Sequence, residues 1–292
     1  MHLPVLLEEV TTKLNLSPGK FIIDGTVDGG GHAGEIVKHI KPGGRFLGLD
    51  LDQDLVIKLQ SKIKTSGVKT SIVHGNYADL PQILEDQKLG TADGLLLDLG
   101  FSSEQLEESG KGFSFLKDEP LVMTYDEGRS PAYEVIKRIT EKKLADIIYE
   151  LGGERRSRAI AEAIKAVSRK TPIKTSKQLA EVVASALPDN YEHGRIHPAT
   201  RTFQALRIYV NDELGNLSSI LKALPQIIAP QGRVAIITFH SLEDEIVKDS
   251  FKELVDQGKA ILVDKKPIIA TAKEVSKNPR SRSAKLRTIE MK

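Results

Sequence analysis

Two acids close two short apolar runs within the first fifty residues: Asp24 follows Phe21-Ile22-Ile23, and Asp50 follows Phe46-Leu47-Gly48-Leu49. Between them Gly29, Gly30, Gly31 and His32 open an amphipathic stretch. Strand, glycine-rich turn, helix, strand and acid, in that order, make a nucleotide-type cofactor site at the carboxyl end of a parallel sheet. Asp50 follows Gly30 by twenty residues, the interval that brings an acid at the second strand's end onto a ribose diol. A cofactor carrying adenosine is therefore expected.

The loop D-G-T-V-D-G-G-G-H at 24–32 does not hold G-x-G-x-x-G within it; that spacing is met only by running on into the amphipathic stretch, G-G-G-H-A-G at 29–34, and no G-x-x-x-x-G-K-[ST] phosphate loop occurs anywhere. A turn that approaches its ligand closely without cradling phosphates suits S-adenosylmethionine, whose carboxylate and ammonium replace a pyrophosphate. A plain βα turn is the competing reading. Two further runs deliver polar residues in the same way: Thr70 to Val73 leads to His74-Gly75-Asn76-Tyr77, and Gly94 to Leu97 ends in Asp98. After a later run, Gly232 to Phe239, come His240 and Asp244.

Several chemistries are excluded by composition. The 292 residues contain no cysteine, so disulfides, thiolate zinc sites, Cys-ligated iron–sulfur clusters and a Cys nucleophile attacking a pyrimidine ring are ruled out. Seven histidines are scattered without metal-ligand spacing, and no catalytic metal is expected. No apolar run approaches the ~20 residues of a membrane span, and the N-terminus lacks a basic region and cleavage site, so a cytoplasmic protein is expected. Net charge is only +2, but cations cluster at Arg155, Arg156 and Arg158, at Arg195 and Arg201, and at Arg280, Arg282, Lys285 and Arg287. Each cluster alone reads as a solvated face; three together suit a local polyanion footprint.

The elements that must position these residues follow an α/β order through residue 98. The pattern then changes: residues 132–186 show helical periodicity over Glu141 to Leu151, Ser157 to Ser168 and Ser176 to Ala186, with little strand signal. Strands resume at Gly232, and Ala260 to Val263 with Lys285 to Ile289 form a closing antiparallel pair. The expectation is an α/β domain of residues 1–107 and 199–292, interrupted by an all-helical domain at 108–198. One helix is predicted over Thr200 to Leu217, with a polar stripe of Thr200, Gln204, Arg207 and Asn211 that either faces solvent or lines a cleft or domain interface.

Seven strings carry a family resemblance across almost the whole chain. They are H-x-P-V-L-L-x-E from His2, G-G-G-H from Gly29, L-D-L-G-F-S-S-x-Q-L from Leu97, G-F-S-F from Gly112, H-P-A-T-R-T-F-Q-A-L-R-I from His197, F-H-S-L-E-D from Phe239 and N-P-R-S-R-S-A-K-L-R from Asn278. Together they resemble the ribosomal RNA small subunit methyltransferase H family. The resemblance implies a class I S-adenosylmethionine-dependent methyltransferase with a Rossmann-like sheet and an inserted helical domain. It would methylate the exocyclic amine of one cytidine in 16S ribosomal RNA of an assembled small subunit, and a homodimer is left open.

By motif position the resemblance places Gly29, Gly30, Gly31 and His32 near the methionine part of the cofactor, Asp50 on the ribose and Tyr77 on the adenine, with Asp98 and Gln105 completing the wall. Tyr77 either stacks on adenine or packs in the core, and His32 either donates to the carboxylate or lies on the surface. Asp98 is the candidate acceptor for the amine, with Ser102 and His240 as further candidate catalytic groups. Phe101 and Phe113 either stack on a flipped base or belong to the core. The sequence departs from the family pattern at Asp28, where Gly is usual, at Val122, where Asp is usual, and at Thr124, where Arg is usual. A non-catalytic or altered-specificity relative that binds the small subunit is the rival reading.

Overall fold

The computed structural model describes residues 4–63, 67–100, 109–126, 128–188, 190–191 and 196–292. They form two compact units, one of residues 1–102 with 214–292 and one of residues 103–213.

The first unit is built on one sheet. Its strands are β1 (Phe21–Asp24), β2 (Arg45–Asp50), β3 (Lys69–His74), β4 (Ala92–Asp98), β5 (Ile228–Thr238), β6 (Ala260–Leu262), β7 (Ile268–Ile269) and β8 (Lys285–Met291). The order is β3-β2-β1-β4-β5-β8-β6, with β7 also on β8. The first five strands are parallel, and β8 runs antiparallel to β5, β6 and β7. Both faces of the sheet are covered, which is why β1, β2 and β4 read as near-continuous apolar runs rather than alternating ones.

Alternate residues of those runs feed two cores. Ile23, Leu47, Leu49, Leu95, Leu97 and Ile236 pack on Leu80 and Leu84 of α4 (Leu80–Asp86), Leu221 and Leu224 of α10 (Glu213–Ile227), and Val247 and Phe251 of α11 (Ser241–Asp256). Ile22, Phe46, Leu96 and Ile237 pack on Val10 of α1 (Leu7–Lys13), Ile36 and Val37 of α2 (Gly31–His39), and Val56 and Leu59 of α3 (Gln53–Lys62). The parallel strands all end at one edge, where the strand order reverses between β1 and β4, the place at which open α/β sheets bind ligands.

The second unit is helical: α5 (Ala132–Arg138), α6 (Glu141–Gly152), α7 (Ser157–Ser168), α8 (Ser176–Ser185) and α9 (Thr200–Asn211). The three periodic segments of the sequence appear as α6, α7 and α8. Leu144, Ile148, Ile160, Ile164, Leu179, Val183, Phe203 and Leu206 supply its buried apolar faces. A Cβ on Gly152 would lie 2.4 Å from the carbonyl oxygen of Arg201, so glycine there lets α6 and α9 approach backbone to backbone.

The helix predicted over Thr200 to Leu217 is two helices. Asp212 adopts φ 51°, the left-handed region, and ends α9 before α10 begins at Glu213; Asp reaches that region more readily than most residues, because its short side chain bonds locally. As a result α9 packs with α6 in the helical unit, whereas the sequence-based boundary at 198/199 had grouped it with the sheet. Its polar stripe is engaged inside that unit. Arg207 makes a bidentate pair with Glu213 at 2.9 and 3.0 Å, and Asn211 donates to the Met123 carbonyl at 2.8 Å while accepting from the Tyr125 N–H at 3.0 Å.

Candidate active site

The loop after β1 folds back over the end of the sheet. The Gly25 N–H donates to the Leu96 carbonyl and the Val27 N–H to the Leu49 carbonyl, both at 2.9 Å. Val27 sits on Gly48 so closely that a Cβ there would be 2.4 Å from Val27 Cγ2. The glycine of β2 is thus a seat for the loop. Beyond it the backbone turns left-handed at Asp28, φ 46°, and Gly30, φ 81°, and α2 starts at Gly31 with His32 in its first turn.

Four acids gather at this edge. Asp50, 5% exposed, accepts the backbone N–H groups of Asp28 and Asp52, one on each carboxylate oxygen, both at 2.9 Å. Asp98, also 5% exposed, accepts the Gly100 N–H on Oδ1 at 3.1 Å, and its own N–H donates to Thr26 Oγ1 at 2.7 Å. Asp24 is fully buried and accepts the Thr26 N–H at 3.2 Å. Thr26 therefore ties the ends of β1 and β4 together. His32 is buried with Nε2 3.4 Å from Asp98 Oδ2, but neither of its ring nitrogens has a hydrogen-bond partner among the described residues, nor does Asp24 Oδ2.

Burial, with crowding by like charge, raises the affinity of Asp24, Asp50 and Asp28 for protons. Desolvation lifts Asp24 to about 7, against the counter-pull of His32 and the Thr26 N–H. Asp50 rises to about 6, chiefly by desolvation, with its backbone donors pulling down. Asp28 is pushed well above the ordinary carboxylate range by desolvation and then by the charges of Asp50 and Asp98. A diphosphate brought to this edge would meet like charge. The unpartnered Asp24 oxygen and the crowded carboxylates instead fit a ligand bearing positive charge, as S-adenosylmethionine does in its sulfonium and ammonium groups.

The other sequence candidates fall as follows. Gly29 is exposed beside Gly30 in the loop, and Gly31 abuts Pro4, which a Cβ would approach to 3.1 Å. Tyr77 opens a short 3₁₀ turn after β3 and is half-buried against the first core. His240 caps α11: its Nδ1 accepts the Glu243 N–H at 3.4 Å, while Glu243 Oε2 accepts the N–H groups of Phe239 and His240 at 2.8 and 3.3 Å. Asp244 does not join His240; it binds Arg287 at 2.7 and 3.2 Å and Lys285 at 2.9 Å on β8. Phe113 stacks on Tyr125 with ring centroids 5.2 Å apart, the core-type role. Arg201 lies against Tyr191 and Glu154. Phe101, Ser102, Gln105 and Arg195 lie outside the described residues.

Two site residues escaped the sequence reading. Asp24 was read as a strand end but not as a site acid, and Thr26 was not singled out. The spacing D-x-T at 24–26 was their available signal, since an Asp carboxylate commonly accepts the backbone N–H two residues on in an Asx-turn.

A parallel sheet reversed between β1 and β4, an antiparallel β8 beside β5, and an acid-lined edge lacking a phosphate cradle define a class I S-adenosylmethionine-dependent methyltransferase. The family is settled by sequence: the chain belongs to the MraW methylase family, whose model matches residues 1–292. A protein of Syntrophus aciditrophicus named ribosomal RNA small subunit methyltransferase H is 45% identical, over 99% of this chain and 97% of its own. Proteins of the same name from Koribacter versatilis and Acetivibrio thermocellus are 42% and 40% identical, over 98% and 99% of this chain and 92% and 98% of theirs.

Proposed function

We propose that the protein methylates the exocyclic amine of a specific cytidine in the 16S RNA of the small ribosomal subunit, in the cytoplasm and on an assembled particle. The reading rests on the relatives' shared name and on one observation, the buried carboxylate of Asp98 at the end of β4, held through Oδ1 by the Gly100 N–H. Cytosine's amine is a poor nucleophile because its lone pair is delocalised into the ring. A fixed acceptor for its N–H bonds favours the pyramidal nitrogen and aligns the lone pair for displacement.

S-adenosylmethionine supplies an electrophilic methyl group on a positively charged sulfur. In the transfer the nitrogen lone pair forms the N–C bond, the C–S bond breaks, and the amine then sheds one proton. Asp50 would hold the ribose hydroxyls with the lone pairs its two backbone donors leave open. Gly30, Gly31 and His32 would approach the methionine part and Tyr77 the adenine. Gln105 would complete the cofactor wall, and Ser102 and His240 are further candidate catalytic groups.

The test separates binding from chemistry. Asp98→Ala is expected to lower the single-turnover rate of tritiated methyl transfer to small subunits by about 10²-fold or more at saturating cofactor, with a much smaller change in cofactor affinity. Collapse of affinity with a preserved saturated rate would make Asp98 a cofactor ligand only. Absence of transfer by the parent protein to any RNA would remove the reading itself.

A further inference from the structure

The chain's positive charge is concentrated where its sheet ends. Residues 259–292 hold ten Lys and Arg against three acids, in a chain whose total charge is +2. All three acids are committed: Asp264 pairs with Lys13 at 2.7 Å, Glu290 with Arg233 at 2.9 Å, and Glu274 accepts the Leu6 N–H at 2.8 Å. Lys285 and Arg287 are held by Asp244. Lys265, Lys266, Lys273, Lys277 and Arg282 are exposed and make no ion pair among the described residues.

Their place in the fold matters as much as their charge. Lys285 stands opposite Thr238, the last residue of β5, so the 3₁₀ turn Pro279–Ser283 that precedes it lies at the edge where β1, β2 and β4 deliver their acids. The short helix α12 (Ala272–Lys277) is fastened to the same side. Glu274 holds Leu6, and Pro4, two residues before, lies against Gly31 of the cofactor loop. Lys273, Lys277 and Arg282 thus lie on a helix and a turn on the cofactor side, and Lys265 and Lys266 continue the line in the β6–β7 loop along the outer edge of β8, between Thr288 and Leu286.

We propose that Lys265, Lys266, Lys273, Lys277 and Arg282 form a strip that grips the phosphates of the RNA strand flanking the target nucleotide. Lys285 and Arg287, their neighbours in sequence, hold β8 to α11 and take no part. The proposal builds on the RNA-methylation reading and adds the surface through which the substrate is held. Cations distributed over three irregular elements match a phosphate backbone, whereas an anionic bilayer calls for an amphipathic helix longer than the six residues of α12.

A five-fold glutamine variant at these positions is compared with the parent and with Lys285→Gln/Arg287→Gln, using small subunits, deproteinised small-subunit RNA and phosphatidylglycerol vesicles. For the five-fold variant the KM for subunits is expected to rise about tenfold or more, with kcat within about twofold. The salt dependence of RNA affinity should flatten by about three to four units of log–log slope, since each lost single-strand phosphate contact removes roughly 0.7. Thermal midpoint and cofactor affinity should not change. The Lys285/Arg287 variant should instead lower the midpoint and keep the salt slope. An unchanged KM and slope in the five-fold variant would overturn the strip, as would loss of vesicle binding with RNA affinity intact. Filter retention of the RNA reads the strip without turnover: a parent that binds RNA through these residues but transfers no methyl group would refute the methylation reading alone.

Discussion

Asp24 sets the pH response of the whole site. Its carboxyl titrates near 7 in the fold against 3.8 unfolded, so the folded state holds the proton more tightly. The corresponding stability is fully present below pH ~4 and is lost as pH rises through about 7, a swing on the order of 4 kcal/mol. Asp50, raised to about 6, acts in the same direction over a narrower window. The cofactor-free protein should therefore melt at a higher temperature at pH 5 than at pH 8, and Asp24→Asn should flatten that profile in a calorimetric scan. A midpoint independent of pH would place Asp24 in contact with water or a fixed cation. A bound sulfonium and ammonium favour the ionised carboxyls, so binding should release protons and tighten as pH rises from 6 to 8.

Asp50 and Asp28 allow a sharper comparison. Asp50→Ala should weaken cofactor binding by about 1–3 kcal/mol, the usual loss for charge-assisted hydrogen bonds. Asp28→Gly keeps the backbone N–H bond to Asp50, relieves a left-handed residue by roughly 1 kcal/mol and removes a like charge beside Asp50. Titration calorimetry should show tighter cofactor binding, and weaker binding would show that the Asp28 carboxylate itself touches the ligand. Val122 and Thr124, the other two departures, lie in the helical unit, where Thr124 is buried. Of these residues, Asp50, Asp98 and the glycine turn were legible because they stand at strand ends with recognisable spacing. The proton-binding character of Asp24 was not, since it depends on burial from all sides.

Among elements, the β1–α2 loop owes its path to a residue on another strand. Gly48→Ala would force Val27 off β2, so the variant should lose cofactor affinity out of proportion to its loss of stability; equal losses would mean that the loop merely unfolds with the core. The strands were readable from their apolar runs, because a doubly covered parallel sheet imprints itself on sequence so directly. The end of α9 was not readable. Helical periodicity continues across Asp212, and only the left-handed turn at that residue divides Phe203, Leu206 and Val210 from Leu217. Likewise His240 and Asp244 stand together in the sequence after β5, yet β8 supplies the cations that claim Asp244 from more than forty residues away. Replacing Asp244 by Ala leaves Arg287 and Lys285 without their acid and should lower the melting temperature while sparing cofactor affinity.

For the molecule as a whole, a net charge of +2 argues against tight binding to unstructured RNA at physiological salt, because such binding scales with phosphates neutralised. Recognition must come from shape and a few separated contacts. Transfer to assembled small subunits should accordingly be faster than to deproteinised RNA at equal concentration, and equal rates on both would refute the requirement for a particle.

The sheet order also fixes a sequence of events during synthesis. β4 is complete at residue 98, but its neighbour β5 begins at residue 228, after the entire helical unit has been made. While the ribosome adds those residues, the nascent protein carries four strands whose β4 edge has no neighbour, a state prone to mispairing with other chains. The helical unit, rich in contacts between neighbouring helices, can close quickly in that interval. Early folding of that unit would leave fewer unfolded residues free to mispair while the β4 edge waits for β5.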